Sequence, residues 1–166
     1  MSTSEGPISL RPAATGDEEM VFRWRNDPFI VARASLQREI SWEEHQRWFI
    51  QTVAGNNRRM FIVEHDGTPV GQVRFDRESE RDCVISAYLL PAFMGQGWGL
   101  QAIRTGCELI FMEWKVERVI ACVRFDNLGG FSAFRKAGFI EIKSAGCPSE
   151  HHALVLSRAQ NQEAIS

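Results

Sequence analysis

The sequence predicts an α/β fold built on a mixed, mostly antiparallel central sheet of about seven strands, flanked by about four helices. Three observations carry this reading. Short apolar runs alternate along the chain with stretches whose apolar residues recur every three or four positions. An Asp66-Gly67 turn joins two apolar runs as a hairpin. The run Cys83 to Leu90 passes through a glycine-rich turn into a long helix and then another apolar run, the order of a parallel crossover.

In chain order, Ile8 to Arg11 reads as a first strand, and Thr15-Gly16-Asp17-Glu18 has the Thr-x-x-Glu form of a capping box, opening a helix to Asn26 that Asp27-Pro28 stops. Ser41-Trp42-Glu43-Glu44 opens a second helix, with Trp42, His45, Trp48, Phe49 and Val53 on one side and Gly55-Asn56-Asn57 at its end. Met60 to Val63 and Val70 to Phe75 form the hairpin, and Cys83 to Leu90 is the next strand. The helix from Gly97 to Trp114 carries Leu100, Ile103, Cys107, Ile110, Phe111 and Trp114 as one apolar stripe. Arg118 to Val123 is nearly all apolar, as in a strand covered on both faces. It should run parallel to Cys83–Leu90, with both carboxyl ends near the glycine turn. A short helix from Leu128 to Ala137 closes at Gly138, and Phe139–Ile142 with Ala153–Leu156 form a last antiparallel pair.

The chain has 166 residues, enough for one domain with a real core and short for two, so 1–166 reads as a single domain with its core over 8–156 and a polar tail at 158–166. Nineteen basic and 21 acidic residues leave a formal charge of −2, which gives no footprint for nucleic acid. Cys83, Cys107, Cys122 and Cys147 lack Cys-x-x-Cys spacing, and three of them lie inside apolar segments as reduced core cysteines do, so the expectation is a reducing compartment. With no leader pattern and no long apolar run, the expectation is a cytoplasmic protein with no membrane association.

Glycines 95, 97 and 99 leave the amides of one turn uncovered by side chains, and the helix that follows adds its unpaired N–H groups and positive dipole end. Such a turn suits a phosphate or diphosphate, against the plainer reading of a strand-to-helix connection. The spacing is neither Gly-x-x-x-x-Gly-Lys-Ser/Thr nor Gly-x-Gly-x-x-Gly.

Met94-Gly95-Gln96-Gly97-Trp98-Gly99 resembles the Gln/Arg-x-x-Gly-x-Gly/Ala signature of the GNAT superfamily of acyl-CoA-dependent N-acetyltransferases. Asn127, Phe134 seven positions on, and Gly138-Phe139 match a second pattern of that family. The resemblance implies a V-shaped splay between the fourth and fifth strands, with acetyl-CoA as co-substrate and no metal. Leu89 or Leu90 would meet the thioester through a backbone N–H. Met94, Gly95, Gln96, Gly97, Trp98, Gly99 and Leu100 would hold the diphosphate, and Asn127 and Phe134 would line the cofactor arm. Met94 replaces the usual basic residue, and Phe134 replaces a tyrosine that often protonates the thiolate, so Ser132 and Tyr88 become the candidates for general acid.

Base candidates are Glu43, Glu44, His45, Glu64 and Asp82, each with a structural reading beside it: first-turn acid for Glu43, capping residue for Glu44, packed histidine for His45. Cys147, His151 and His152 form a weak metal set. Trp24, Arg25 and Asn26, with Glu43-Glu44-His45, are similar to the branch that acetylates UDP-linked 4-amino sugars, which makes them acceptor-binding candidates. Related Arg-Asn segments occur in N-terminal protein and antibiotic acetyltransferases. The expected partner is a small amine, with a homodimer compatible with the fold. The opposing reading is a degenerate domain that binds acyl-CoA without turnover.

Overall fold

The computed structural model describes residues 7–143 and 146–165. Its strands are β1 (Ile8–Pro12), β2 (Arg58–His65), β3 (Thr68–Arg77), β4 (Asp82–Leu89), β5 (Arg118–Arg124), β6 (Ile140–Ile142) and β7 (His151–Ser157). They form one sheet in the order β1-β2-β3-β4-β5-β7-β6. Every neighbouring pair is antiparallel except β4 with β5, which is parallel as the crossover pattern requires. The helices are α1 (Glu18–Arg25), α2 (Pro28–Arg33), α3 (Trp42–Ala54), α4 (Trp98–Trp114), α5 (Leu128–Lys136) and α6 (Arg158–Ile165).

Strand alternation divides the core in two. Phe61, Val63, Val73, Phe75 and Ile85 point toward Ile103, Cys107 and Ile110 of α4, while Met60 and Ile62 point the other way, onto Val21 and Trp24 of α1 and Phe49 of α3. The hairpin turn is as expected, with Asp66 at φ 49° and Gly67 at φ 79°, the paired left-handed residues of a primed two-residue turn.

Four local expectations fail for identifiable reasons. Thr15 does not open α1: residues Thr15–Asp17 form a 3₁₀ turn, and Asp17 reaches back to accept the Ala14 N–H at 2.8 Å while holding the Arg11 guanidinium. Asp27-Pro28 starts a helix rather than only ending one, because Asp27 Oδ1 accepts the Phe29 N–H at 2.8 Å and Pro28 takes the first position, where no donor is needed. The polar tail is helical, with Ser157 Oγ accepting from Gln160 N and Gln160 Oε1 accepting from Ser157 N, both at 3.1 Å; this is a reciprocal cap. Finally, Cys122 and Cys147 are joined in a disulfide, while Cys83 and Cys107 are buried and free. The reduced-cysteine reading therefore fails for that pair. Among the described residues no helix is long and apolar enough to cross a membrane.

Candidate active site

Strand pairing creates an opening at the centre of the sheet. β4 and β5 pair from Asp82↔Arg118 only as far as Ile85↔Ala121, after which β4 continues along β3 to Leu89 and β5 continues along β7 to Arg124. The two strands part, each held by its outer neighbour. The Leu90 amide donates to the Val70 carbonyl at 2.9 Å, so it is consumed by β3 and is not a thioester donor. Ladder alternation then turns the amides of Tyr88 and Ser86 toward β3 as well, and those of Leu89 and Ala87 toward the opening. Of the Leu89 and Leu90 amides, that of Leu89 is the one that faces the opening.

At the mouth of the opening, a 3₁₀ turn over Pro91–Phe93 leads into the exposed segment Met94 to Gly97. Gly95 and Gly97 have φ of 83° and 81°, a region that disfavours side chains, although a Cβ at either would meet nothing within 4 Å. Conformation, and not crowding inside the protein, fixes these glycines. Gly97 is the N-cap of α4 and supplies no side-chain acceptor, so the Gly99 and Leu100 amides in the first turn of the helix can turn toward an anion. Gln96 and Met94 project to solvent, Met94 being 45% exposed. The Trp98 ring is turned inward, buried on His65 with centroids 4.2 Å apart. His65 closes β2.

The second motif departs from its expected chemistry. Asn127 caps α5 by accepting the Gly130 amide at 3.0 Å, which leaves its Nδ2 hydrogens as the group it can offer to a cofactor arm. A Cβ at Gly130 would lie 2.6 Å from that Nδ2. Phe134 is 6% exposed and packs edge-on against Phe139 in the core, and Ser132, two positions away, lies on the exposed side of α5.

On the opposite face, where α1 and α3 cover the sheet, the histidine candidate for general base proves to be structural. His45 is fully buried; Arg25 Nη1 lies 3.1 Å from its Nδ1 and the Glu18 carbonyl 2.8 Å from its Nε2, so neither nitrogen is left for an acceptor. Burial holds its pKa below the ordinary value. Glu44 bonds Arg38 instead of closing the capping box, although Ser41 Oγ still accepts the Glu44 amide. Glu64 bonds Arg11, and Asp82 bonds Arg118. Glu43 stays exposed in the first turn of α3. Asn26 is a clasp, donating to the Ile40 carbonyl at 2.9 Å and accepting the Ile40 amide at 2.8 Å, which removes it from acceptor binding. Trp24 is buried and edge-on to Tyr88. The metal set dissolves: Cys147 is in the disulfide, His151 bonds Ser35, and His152 bonds Glu141.

Arg25 keeps an open role, and the structure adds two residues the sequence reading missed. Arg25, Arg58 of β2 and Arg74 of β3 gather at Trp48, with guanidinium carbons 3.9, 6.0 and 5.2 Å from its ring centroid. Below them Tyr88 Oη and Gln72 Oε1 are buried without hydrogen-bond partners. The available signal was the period-two polar series Gln72, Arg74, Asp76 on a strand whose alternate residues are buried.

Comparison with known proteins accords with this geometry. A family model described as an acetyltransferase (GNAT) domain matches residues 8–140. Among curated proteins the chain is similar to the acetyltransferase PseH of Campylobacter jejuni, 28% identical over 79 residues, which are 48% of this chain and 50% of that protein. The match thus spans half the length of that relative. The solved structure of Campylobacter jejuni PseH in complex with acetyl coenzyme A superposes with a TM-score of 0.68 at 19% identity, over 91% of this chain and 99% of that one. The aminoglycoside acetyltransferase AAC(6')-Ib, in complex with ribostamycin and coenzyme A, has a TM-score of 0.85 at 20% identity, covering 96% and 98%. Spermidine N-acetyltransferase from Vibrio cholerae, with CoA and spermine, has a TM-score of 0.80 at 16% identity, covering 93% and 98%. Because the family model runs from β1 to the start of β6, taking in both arms of the opening and the glycine turn at its mouth, the chain belongs to the GNAT acetyltransferase family, for which acetyl-CoA is the co-substrate.

Proposed function

We propose that this protein transfers the acetyl group of acetyl-CoA to the primary amine of a small nucleotide-linked amino sugar. The observation that carries the transferase reading is the parting of β4 from β5 beyond Ile85↔Ala121, with an uncapped helix start and two left-handed glycines at its mouth. The amides of Gly95 to Leu100 take the diphosphate, and the Asn127 amide group borders the cofactor arm. The Leu89 amide faces the thioester carbonyl, where it stabilises the charge that gathers on oxygen as the amine attacks. Attack is direct. Cys83 and Cys107 are both buried, with burial pushing the Cys83 thiol up to about 12 and Cys107 well above its usual range, so neither supplies a thiolate at neutral pH. Holding amine and thioester in attack geometry supplies much of the rate.

The amino-sugar part of the reading is supported by the similarity to PseH and by the Trp24-Arg25-Asn26 segment, in which Asn26 is bound to the Ile40 backbone while Arg25 keeps guanidinium donors beyond the one at His45. The test is a CoA-thiol release assay with nucleotide-linked amino sugars, peptide amino termini and aminoglycosides offered in parallel. Release stimulated by the nucleotide-linked amine is expected. Acetyl-CoA binding with no amine-dependent release from any acceptor would instead identify a non-catalytic binding domain.

A further inference from the structure

We infer that Arg25, Arg74 and Arg58 form an anion subsite that seats the phosphate groups of the acceptor, and that this subsite makes the enzyme reject polycationic amines. The inference rests on the acetyltransferase reading and specifies its acceptor.

Charge balance is the first argument. One carboxylate, Asp76, serves two of the arginines, at 2.9 Å from Arg58 Nε and 3.0 Å from Arg74 Nε. Arg25 has no carboxylate within ion-pair reach among the described residues; its hydrogen-bond partner is the neutral His45 ring. Three cations thus converge on the Trp48 ring, with Asp76 paired to two of them and the Glu44 carboxylate acting on Arg25 only from beyond ion-pair distance. A guanidinium withdrawn from water without a counter-charge is costly, and here the cost is visible: burial, then repulsion from Arg74 and Arg58, brings Arg25 down to about 10. It remains charged at neutral pH. A carboxylate at position 45 would neutralise it, whereas the imidazole fixes its direction and leaves the charge for a ligand.

Location is the second argument. Tyr88 Oη is fully buried, lacks a partner, and feels the charges of both Arg25 and Arg74. Tyr88 lies next to Leu89, whose amide faces the opening, and the cluster is therefore beside the point where an acceptor amine must arrive. A phosphate would satisfy both features at once, taking paired N–H donors from the guanidinium forks and an O–H donor from the phenol. Spermidine or an aminoglycoside would bring further positive charge into the same place.

The test is calorimetry with UDP and, separately, inorganic pyrophosphate as probes, on protein saturated with CoA so that the glycine turn is filled. Wild type should bind UDP, more weakly as salt rises, and Arg25→Gln and Arg74→Gln should each lose at least about 10-fold, as expected for a charge-assisted hydrogen bond. Arg104→Gln, on the outer surface of α4, should bind as wild type. Thermal melts establish that each variant is folded, and Arg25→Lys, which keeps the charge, should recover part of the affinity. Failure of wild type to bind either probe, unchanged affinity in folded Arg25→Gln and Arg74→Gln, or efficient acetylation of spermidine would overturn the subsite. Arg25-dependent UDP binding in a protein that acetylates no amine would uphold the subsite and remove the transferase reading.

Discussion

Arg25 donates to Nδ1 of His45 across 3.1 Å, and since a guanidinium has no lone pair, the imidazole must be neutral with its proton on Nε2, donating to the Glu18 carbonyl at 2.8 Å. One buried ring therefore ties the start of α1 to α3 and aims the residue at the end of α1. His45→Gln should lower unfolding free energy by about 2 kcal/mol, from lost packing and one broken buried hydrogen bond. The pH dependence has a definite sign. Burial holds the folded pKa of His45 below its unfolded value of about 6.5, so its contribution is fully present above that pH and is lost as pH falls through the depressed value. Urea unfolding at pH 7.5 and 5.5 should show the gap between wild type and His45→Gln narrowing at the lower pH. A gap that widens would mean the ring is cationic when folded.

Gly97→Val tests the diphosphate turn. At φ 81° a β-branched residue is strained by about 1–2 kcal/mol, and its side chain would stand over the amides meant for the anion. Acetyl-CoA affinity should fall at least about 10-fold by calorimetry; the backbone strain is carried by free and bound protein alike, so the loss reports the covered amides. Gly99→Ala is the contrast. Its Cβ would lie 3.7 Å from Leu89 Cδ1, an ordinary contact, and stability should stay within about 0.5 kcal/mol of wild type.

What could be read from the chain was what short segments determine by themselves. The glycine turn, the α4 stripe and the Asp66-Gly67 hairpin are local, and each emerged in place. The parallel step needed only the order strand, helix, strand. Pro28 was misread because the same residue types stop one element and open the next, as Asp27 shows. The arginine cluster was hidden for a different reason: Arg25, Arg58 and Arg74 come from α1, β2 and β3 and meet only when the sheet is assembled under α3. Asn26 misled in the opposite direction, since a polar residue beside Arg25 in sequence turned out to bind backbone 14 positions away.

The Cys122–Cys147 bond links β5 to the segment before β7 across a sequence separation of 25. Closing a loop of that length stabilises a folded chain by about 3 kcal/mol in the chain-entropy account. The double variant Cys122→Ala/Cys147→Ala should therefore melt several degrees lower, and dithiothreitol should lower the wild-type midpoint without affecting the variant. Equal midpoints with and without reductant in the wild type would show that the bond does not form in solution.

Proton delivery to the departing thiolate gives the last prediction. Phe134 has no proton to give, Ser132 points to the exposed side of α5, and burial raises the Tyr88 phenol above its ordinary range. CoA thiolate is a stable enough leaving group to depart without enzyme-bound acid, and the general-acid contribution of about 10²–10⁴ is then simply absent. The profile of kcat against pH should rise with amine deprotonation, and because the Tyr88 phenol keeps its proton past the ordinary value of about 10, the deciding readout is kcat of Tyr88→Phe, which should stay within about twofold of wild type. Ser132→Ala should keep kcat within about twofold, far below the loss expected on removing a general acid. Tyr88→Phe should raise the acceptor KM, because the phenol faces the arginines, and leave the shape of the profile unchanged. A fall in kcat of about a hundredfold in Tyr88→Phe or in Ser132→Ala would restore the corresponding hydroxyl as the acid.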